Sequence, residues 1–285
     1  MKTTTQLKNI LQNKSLDFFL EAHDALSAKI VEEADFKGVW ASGLSISAAS
    51  GLRDRNEMSW TDVLKIVERM CDTVSIPVLL DGDSGFGDFN NVRLFVKKSE
   101  QYGAAGVCLE DKNFPKTNSF LTGKSQKLVS IQDFCGKIKA GKDSQRDGDY
   151  CLIARTEALI FGRPMEETLE RAEKYAQAGA DAILVHSKAS SRVEIEAFMA
   201  QWTNPTPIVI VPTKYANTPT HVFEDLNISL IIWANHILRA SIKHMQKVAV
   251  SIREYQQVSH LTDDIVPLHE VFRLQNVEEL EAAEK

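Results

Sequence analysis

The sequence predicts an α/β protein, a single (β/α)8 TIM-type barrel spanning residues 1–285 with an additional C-terminal helical arm. Three observations carry that prediction. Short apolar runs rich in Val, Ile and Leu alternate with amphipathic stretches along most of the chain. Six of the runs stop abruptly at a charged or hydrogen-bonding residue. The phrases Tyr102-Gly103-Ala104-Ala105-Gly106 and Gln177-Ala178-Gly179-Ala180-Asp181 each read as a helix stop leading straight into a buried strand. Buried parallel strands read as continuous apolar runs, and in a closed barrel the chemistry collects at their C-terminal ends.

In chain order, strands are expected at 16–20, 38–42, 77–81, 106–110, 150–155, 182–186, 207–211 and 229–233. Val39-Trp40-Ala41 runs into Ser42-Gly43, and Val78-Leu79-Leu80 into Asp81-Gly82-Asp83. Val107-Cys108-Leu109 stops at Glu110-Asp111, and Leu152-Ile153-Ala154 at Arg155-Thr156-Glu157. Ile183-Leu184-Val185 ends at His186-Ser187, and Ile208-Val209-Ile210-Val211 at Pro212-Thr213-Lys214. Helices are expected between the strands at 24–34, 59–71, 91–102, 130–142, 164–178, 192–202 and 218–226, with a last one at 237–257. The second opens at a Ser59 cap, and the fifth has Pro164 near its start and Gly179 past its end, the usual punctuation of a helix. An open doubly wound sheet is the alternative. No Gly-x-Gly-x-x-Gly follows the first strand, which disfavours its dinucleotide-binding form.

The chain has 285 residues, 44% of them hydrophobic, and α/β barrels of about 250 residues are single domains. The formal net charge is -6 and Lys and Arg are scattered, which excludes a nucleic-acid surface. No apolar stretch reaches the roughly 18 residues that a membrane span needs. Residues 1–14 are polar and lack the apolar core of a signal peptide, so a cytoplasmic protein is expected. Cys71, Cys108, Cys135 and Cys151 show no Cys-x-x-Cys spacing. They read as small buried residues rather than a disulfide framework.

Two segments depart from the repeat. Residues 112–127 show neither helical nor strand period, and long aperiodic loops are often lids. This one carries Lys116, Asn118, Ser119 and a candidate hinge at Gly123. Residues 266–285 look helical, with Val271, Phe272 and Leu274 apolar and an acidic, solvated end from 278. The arm is expected to pack on a neighbouring subunit or on the barrel's outer surface. A homo-oligomer, dimer or tetramer, with exchanged C-terminal helices is the corresponding expectation.

Asp81 and Asp83 are two carboxylates at the end of a buried strand, and they tolerate each other only with a cation between them. Mg2+ fits, because it takes oxygen ligands and keeps waters and substrate oxygens in its shell. Glu110 ends the next strand and can join directly or through water, as can Asp54. Arg155 follows an apolar strand directly. It suits a carboxylate, phosphate or phosphonate held bidentately, or else an ion pair with Glu157 or Glu110. His186 at the next strand end can bind an anionic oxygen or shuttle a proton, or be structural. Ser42-Gly43 can offer backbone N–H groups to an oxyanion, with Trp40 as a wall, or be a simple turn. Ser84-Gly85-Phe86-Gly87 is weak evidence for phosphate binding. His23, His221, His236, His244, His260 and His269 lack ligand spacing.

With these residues in hand the chain resembles the phosphoenolpyruvate mutase/isocitrate lyase superfamily over nearly its whole length. The resemblance rests on Trp40-Ala41-Ser42-Gly43-Leu44, the segment from Asp81 to Gly87, Ala154-Arg155-Thr156-Glu157, Pro212-Thr213-Lys214 and Trp233-Ala234-Asn235-His236. Above all it rests on Glu110-Asp111-Lys112, five residues, then Asn118-Ser119, a pattern resembling the mutases. The superfamily's lyases carry a catalytic Cys in this loop, and residues 112–127 contain none. The resemblance implies Mg2+-dependent interconversion of phosphoenolpyruvate and phosphonopyruvate. It implies that Asp81 contacts Mg2+ and that Asp54, Asp83 and Glu110 hold its water shell. Trp40, Ser42, Gly43 and Leu44 would bind the pyruvate end. Arg155, His186, Asn118 and Ser119 would hold the phosphoryl group, and Lys116 would arrive with the lid. Phosphonopyruvate hydrolysis and 2-oxo-acid C–C cleavage are the alternatives within the superfamily, and a non-enzymatic scaffold is the alternative outside it.

Overall fold

The computed structural model describes residues 1–13, 15–121 and 127–284. Eight strands form a closed, all-parallel barrel in sequential order. They are β1 Asp17–Ala22, β2 Gly38–Ala41, β3 Val78–Asp81, β4 Gly106–Glu110, β5 Cys151–Thr156, β6 Ala182–Val185, β7 Ile208–Ile210 and β8 Leu230–Trp233. Closure is made by β1 against β8, with Phe19 beside Ile232 and Leu20 beside Trp233. Each strand lies within two residues of its expected limits, because an unbroken Val/Ile/Leu run flanked by polar residues marks a strand buried on both faces.

The helices are α1 Thr3–Gln12, α2 Ala25–Glu33, α3 Gly43–Ala49, α4 Trp60–Thr73, α5 Phe89–Gln101, α6 Ile131–Ser144, α7 Met165–Gln177, α8 Val193–Met199, α9 Thr220–Asp225, α10 His236–Tyr255, α11 Leu268–Leu274 and α12 Val277–Ala283. Side-chain caps start several of them. Asp24 accepts from the backbone of Ser27 at α2, Ser59 from Asp62 at α4, and Ser130 from Asp133 at α6. Each satisfies an orphan N–H of the first turn.

Two helices were not expected. α3 is short and follows Ser42 directly, where sequence suggests only a turn; Ser42 is its N-cap, accepting from Ser45. α1 replaces the polar, featureless N-terminus. It buries Thr4, Leu7 and Leu11, and both leucines join the barrel-interior cluster with Phe19, Trp40, Cys108 and Ile153. Its polar side is tied to the loop before β5, where Lys8 meets Asp149 at 2.8 Å and Thr5 donates to the same carboxylate. α1 therefore plugs the N-terminal end of the barrel. Gly106 is the close-approach point, because a Cβ there would lie 2.8 Å from Leu7 and 2.6 Å from the Cys151 carbonyl.

All four cysteines are free, Cys108 and Cys151 buried and the other two partly so. Residues 112–113 and 127–129 form the base of the aperiodic loop, joined by an antiparallel bridge between Lys112 and Leu128. The candidate hinge Gly123 lies outside the described residues.

The chain divides into two compact units, Met1–Asn235 with all eight strands and His236–Lys285. The second unit holds α10, a 3-10 turn at Ser259–Leu261, α11 and α12. Lys247 pairs with Asp264 inside it at 2.6 Å. The expected helicity of the arm is found as two short helices broken at Asn276, which sits at φ 56°. The end expected to be a solvated tail is thus largely helical, in α12. Neither α11 nor α12 buries a residue, and Leu268, Phe272 and Leu280 are exposed.

If α1 is the plug, Leu7→Ala should lower stability by about 2–5 kcal/mol, the usual cost of emptying a filled core site. Urea unfolding of the variant against the parent measures this. A loss well under 1 kcal/mol would show that α1 is not part of the core.

Candidate active site

The C-terminal ends of the strands enclose one cavity. Every residue to which the family resemblance gave a role lines it except Gly43 and Asp83. Those two sit immediately behind. Gly43 donates its backbone N–H to Asp81 Oδ2 at 3.2 Å, and Asp83 accepts from the Asn56 amide at 2.6 Å. β2 delivers Trp40 and Ser42, β3 Asp81, β4 Glu110, β5 Arg155 and β6 His186.

One wall is acidic. Asp83 is fully buried, and burial with Asp81, Asp54 and Glu110 nearby pushes its carboxyl up to about 7 despite Lys116. Burial likewise raises Glu110, against the pull of Lys112 and Arg155. Asp83 Oδ1 and Glu110 Oε1 meet no well-directed hydrogen-bond donor. What they have instead is charge, from Lys116 Nζ at 2.7 Å and Lys112 Nζ at 3.1 Å. Lys116 also pairs closely with Asp54. Burial works against the Lys116 ammonium, but Asp83 and Asp54 hold its pKa well above the usual value. Asp54 stays below its usual range, because Lys116 and a 2.7 Å hydrogen bond from Asn118 outweigh its burial. Among the described residues no group of three or more His, Cys, Asp or Glu side chains is placed to hold a metal ion as it stands; the lysine ammonium stands among the acids. The donor set nonetheless suits a hard dication, being all carboxylate oxygen with orphaned buried atoms.

Beside the acidic wall, sharing Arg155 and Lys112 with Glu110, is a hydrogen-bonded hub on Glu157. Its carboxylate takes Arg155 Nε at 2.5 Å, His186 Nδ1 at 2.6 Å and the Ser119 hydroxyl at 2.5 Å. Although Glu157 is buried, Arg155, His186 and Lys112 hold it well below the usual carboxylate range. Arg155 Nη2 donates to Ser119 at 3.1 Å and lies 2.8 Å from His186 Nδ1. That nitrogen cannot serve both neighbours: it either accepts from Arg155 or donates to Glu157. Burial and the Arg155 charge lower the His186 pKa against the pull of Glu157, which favours the neutral ring.

The loop joins both walls. Lys112, Lys116 and Thr117 are buried. Lys112 Nζ donates to the Thr117 carbonyl and to Ser119, and the Lys116 backbone N–H donates to Asn56 at 2.7 Å. Lys112 and residues 116–119 thus lie folded into the mouth, while Phe114 and Leu121 are exposed. The Ser84–Gly87 turn does not face the cavity. Gly85, at φ 84°, leaves room for Val92, and Phe86 packs on Phe95 at 5.0 Å between ring centroids.

Sequence reasoning missed several residues here. Lys112, Phe120, Val211, Thr213, Ala234 and Asn235 line the cavity, and Asn56 and Glu157 brace it. Lys112, Glu157, Thr213 and Asn235 lie inside the family-like segments, so their signal was present without a role. Asn56 had none; it sits in a loop at φ 57°.

The family model for phosphoenolpyruvate phosphomutase matches residues 7–253. A phosphoenolpyruvate phosphomutase of Tetrahymena pyriformis is 52% identical over 284 residues, covering 100% of this chain and 95% of the relative. The chain belongs to the phosphoenolpyruvate phosphomutase family. The solved phosphoenolpyruvate phosphomutase of Streptomyces platensis subsp. rosaceus superposes with a TM-score of 0.96 at 40% identity, covering 99% of this chain and 98% of that one. A phosphonopyruvate hydrolase solved with oxalate and Mg2+ superposes at 0.94 with 35% identity, over 100% and 98% of the two chains. The family thus shares one barrel among more than one reaction, and the walls of the cavity must tell them apart.

Asn56 is the clearest case of a brace. Asn56→Ala removes the donor to Asp83 and the acceptor for Lys116, each worth about 1–3 kcal/mol when buried. The barrel should stay folded while residues 112–121 become more sensitive to limited proteolysis. Unchanged cleavage there would show that Asn56 does not hold the loop.

Proposed function

We propose that this protein interconverts phosphoenolpyruvate and phosphonopyruvate, moving a phosphoryl group between oxygen and carbon of one pyruvate skeleton. The observation that carries this reading is the double reach of residues 112–121. One short segment puts Lys116 and Asn118 on the acidic wall and Ser119 on the Arg155–Glu157 wall. The stronger similarity to a phosphomutase than to a phosphonopyruvate hydrolase, 52% against 36% identity in sequence, supports the same choice. The lack of a cysteine in the loop speaks against the C–C lyase alternative.

Mg2+ is the proposed cofactor, with Asp81 as its protein ligand and Asp54, Asp83 and Glu110 holding its waters. When bound it would neutralise these acids and draw electron density from the carboxylate and keto oxygens of the substrate. Ser42, Gly43 and Leu44 flank the pyruvate end, over Trp40. Arg155, His186, Asn118 and Ser119 hold the phosphoryl oxygens. Phosphoryl transfer through a loose transition state needs positioning and charge more than a covalent nucleophile. As substrate draws the Arg155 donor onto its own oxygens, Nδ1–H of His186 is left to Glu157, which fixes the tautomer. Residues 112–127 act as a lid. A mutase must keep water from the transferring group, and the buried Lys112, Lys116 and Thr117 support that role.

We further read the protein as a cytoplasmic homo-oligomer, dimer or tetramer, with exchanged C-terminal helices. The exposed apolar faces of α11 and α12 support the assembly, and four free cysteines support a reducing compartment. No helix among the described residues is long and apolar enough to cross a membrane.

Two outcomes test the reaction. Asp81→Ala, or excess chelator on the parent protein, should abolish turnover of phosphonopyruvate followed by phosphorus NMR; full activity in chelator would remove the metal from the mechanism. Asn118→Ala should keep the fold and cut mutase turnover by about tenfold or more, the worth of a hydrogen bond to a charged group. Its residual reaction should shift toward inorganic phosphate. Phosphate as the main product of the parent protein would instead make it a hydrolase.

A further inference from the structure

Behind the Glu157 wall, outside the cavity, lies a second buried polar cluster. Asp111 is fully buried, and its Oδ1 accepts the backbone N–H of Glu157 at 2.8 Å. Its Oδ2 accepts from the Tyr175 hydroxyl at 2.7 Å, Arg171 Nη1 at 3.3 Å and Thr156 Oγ1 at 3.4 Å. Arg171 and Tyr175 come from α7, on the outer layer. Arg171 Nη1 also donates to the Tyr175 hydroxyl at 3.0 Å and to the carbonyl of Val129 at 3.1 Å. Glu167 Oε1 holds the rest of the guanidinium at 2.9–3.0 Å.

The position of Val129 gives the cluster its meaning. Val129 ends the loop that starts at Lys112, and its N–H donates to the Asp111 carbonyl at 2.9 Å. Asn113 N–H donates to the Lys127 carbonyl at 2.9 Å, and Lys112 bridges Leu128. One guanidinium therefore grips the far stem of the loop and, through Asp111, the near stem and the backbone of Glu157. None of Asp111, Arg171 and Tyr175 lines the cavity. A buried ion pair adds little to stability compared with apolar packing of the same volume, and the faces between α6 and α7 already pack Phe134 on Tyr175. What this cluster adds is a fixed position.

We propose that Arg171 and Tyr175 are positioning residues that act through Asp111, holding both stems of the 112–127 loop and the Glu157 backbone in one place, so that Ser119 meets Arg155 and His186 in register. The proposal rests on the reading of this cavity as the phosphoryl site, and its first readout is independent of that reading.

The test uses Tyr175→Phe, which keeps the ring against Phe134, together with Arg171→Lys and Arg171→Met. Hydrogen exchange on the full-length protein without substrate is the first measurement. In Tyr175→Phe and Arg171→Met the amides of Val129, Asn113 and Glu157 should exchange about tenfold faster, the worth of one lost hydrogen bond to a charged group. Amides of β1, β2 and β8 should be unchanged. Arg171→Lys, which cannot reach Asp111 and Val129 together, should resemble Arg171→Met at Val129. Acceleration spread evenly over the barrel would make the cluster a general stabiliser and overturn the proposal, as would no acceleration at all. The second measurement is steady-state turnover of phosphonopyruvate. kcat should fall with KM little changed, because misplaced stems lose contacts made in the transition state. A raised KM at unchanged kcat would overturn the positioning role. An inactive parent protein with locally altered exchange in the variants would count against the reaction and leave the stem assignment standing.

Discussion

Too much negative charge in too little water is the constraint on which this site depends. Asp54, Asp81, Asp83, Glu110 and Glu157 converge at the mouth of a barrel whose walls exclude solvent. A carboxylate taken out of water must be neutralised by a proton, a cation or several donors. The protein uses the last two at different places. Glu157 receives a guanidinium, an imidazole and a hydroxyl, and is stable as an anion. Asp83 and Glu110 pair with Lys116 and Lys112 but each keeps one carboxylate oxygen without a well-directed donor, and burial raises their pKa values. The difference separates a wall that is complete in itself from one that awaits a counter-charge. Lys116, carried by the loop after β4, provides that charge in the structure.

The same constraint explains what was legible in the sequence. Buried parallel strands leave a hydrophobic signature, and the residue that ends each one must point where the sheet ends. Asp81, Glu110, Arg155 and His186 could therefore be placed together from the chain alone. α1 could not, because its face is made of two leucines one turn apart among polar residues, too weak a period to register. α3 is a two-turn helix behind a serine, and its pattern is indistinguishable from a turn. Glu157 points to its hub only once β5 and β6 are side by side. Asn56 and Arg171 act through tertiary contacts to loops sixty and forty residues away, and no local pattern encodes those.

The site also shows how one barrel can host related reactions. Carboxylates, an arginine and a histidine line one cavity. One segment, residues 112–119, touches both the acids and the Glu157 hub. Loops at strand ends usually carry the function of such barrels, and here the loop after β4 supplies Lys116, Asn118 and Ser119 to the cavity.

The ring of strands has a consequence for the order in which the protein is made. β1 is the first strand to be synthesised, and its second neighbour is β8, more than two hundred residues later. Until β8 emerges, one edge of β1 has no partner, and unpaired edges are the usual starting point of misassembly. α1 is synthesised even earlier, yet it docks against β5 and the loop before it. The first twenty residues therefore wait for the middle and the end of the chain. A growing chain of this design has two leucines unburied until β5 is made and a half-open sheet until β8 is made, so barrel closure comes late in synthesis.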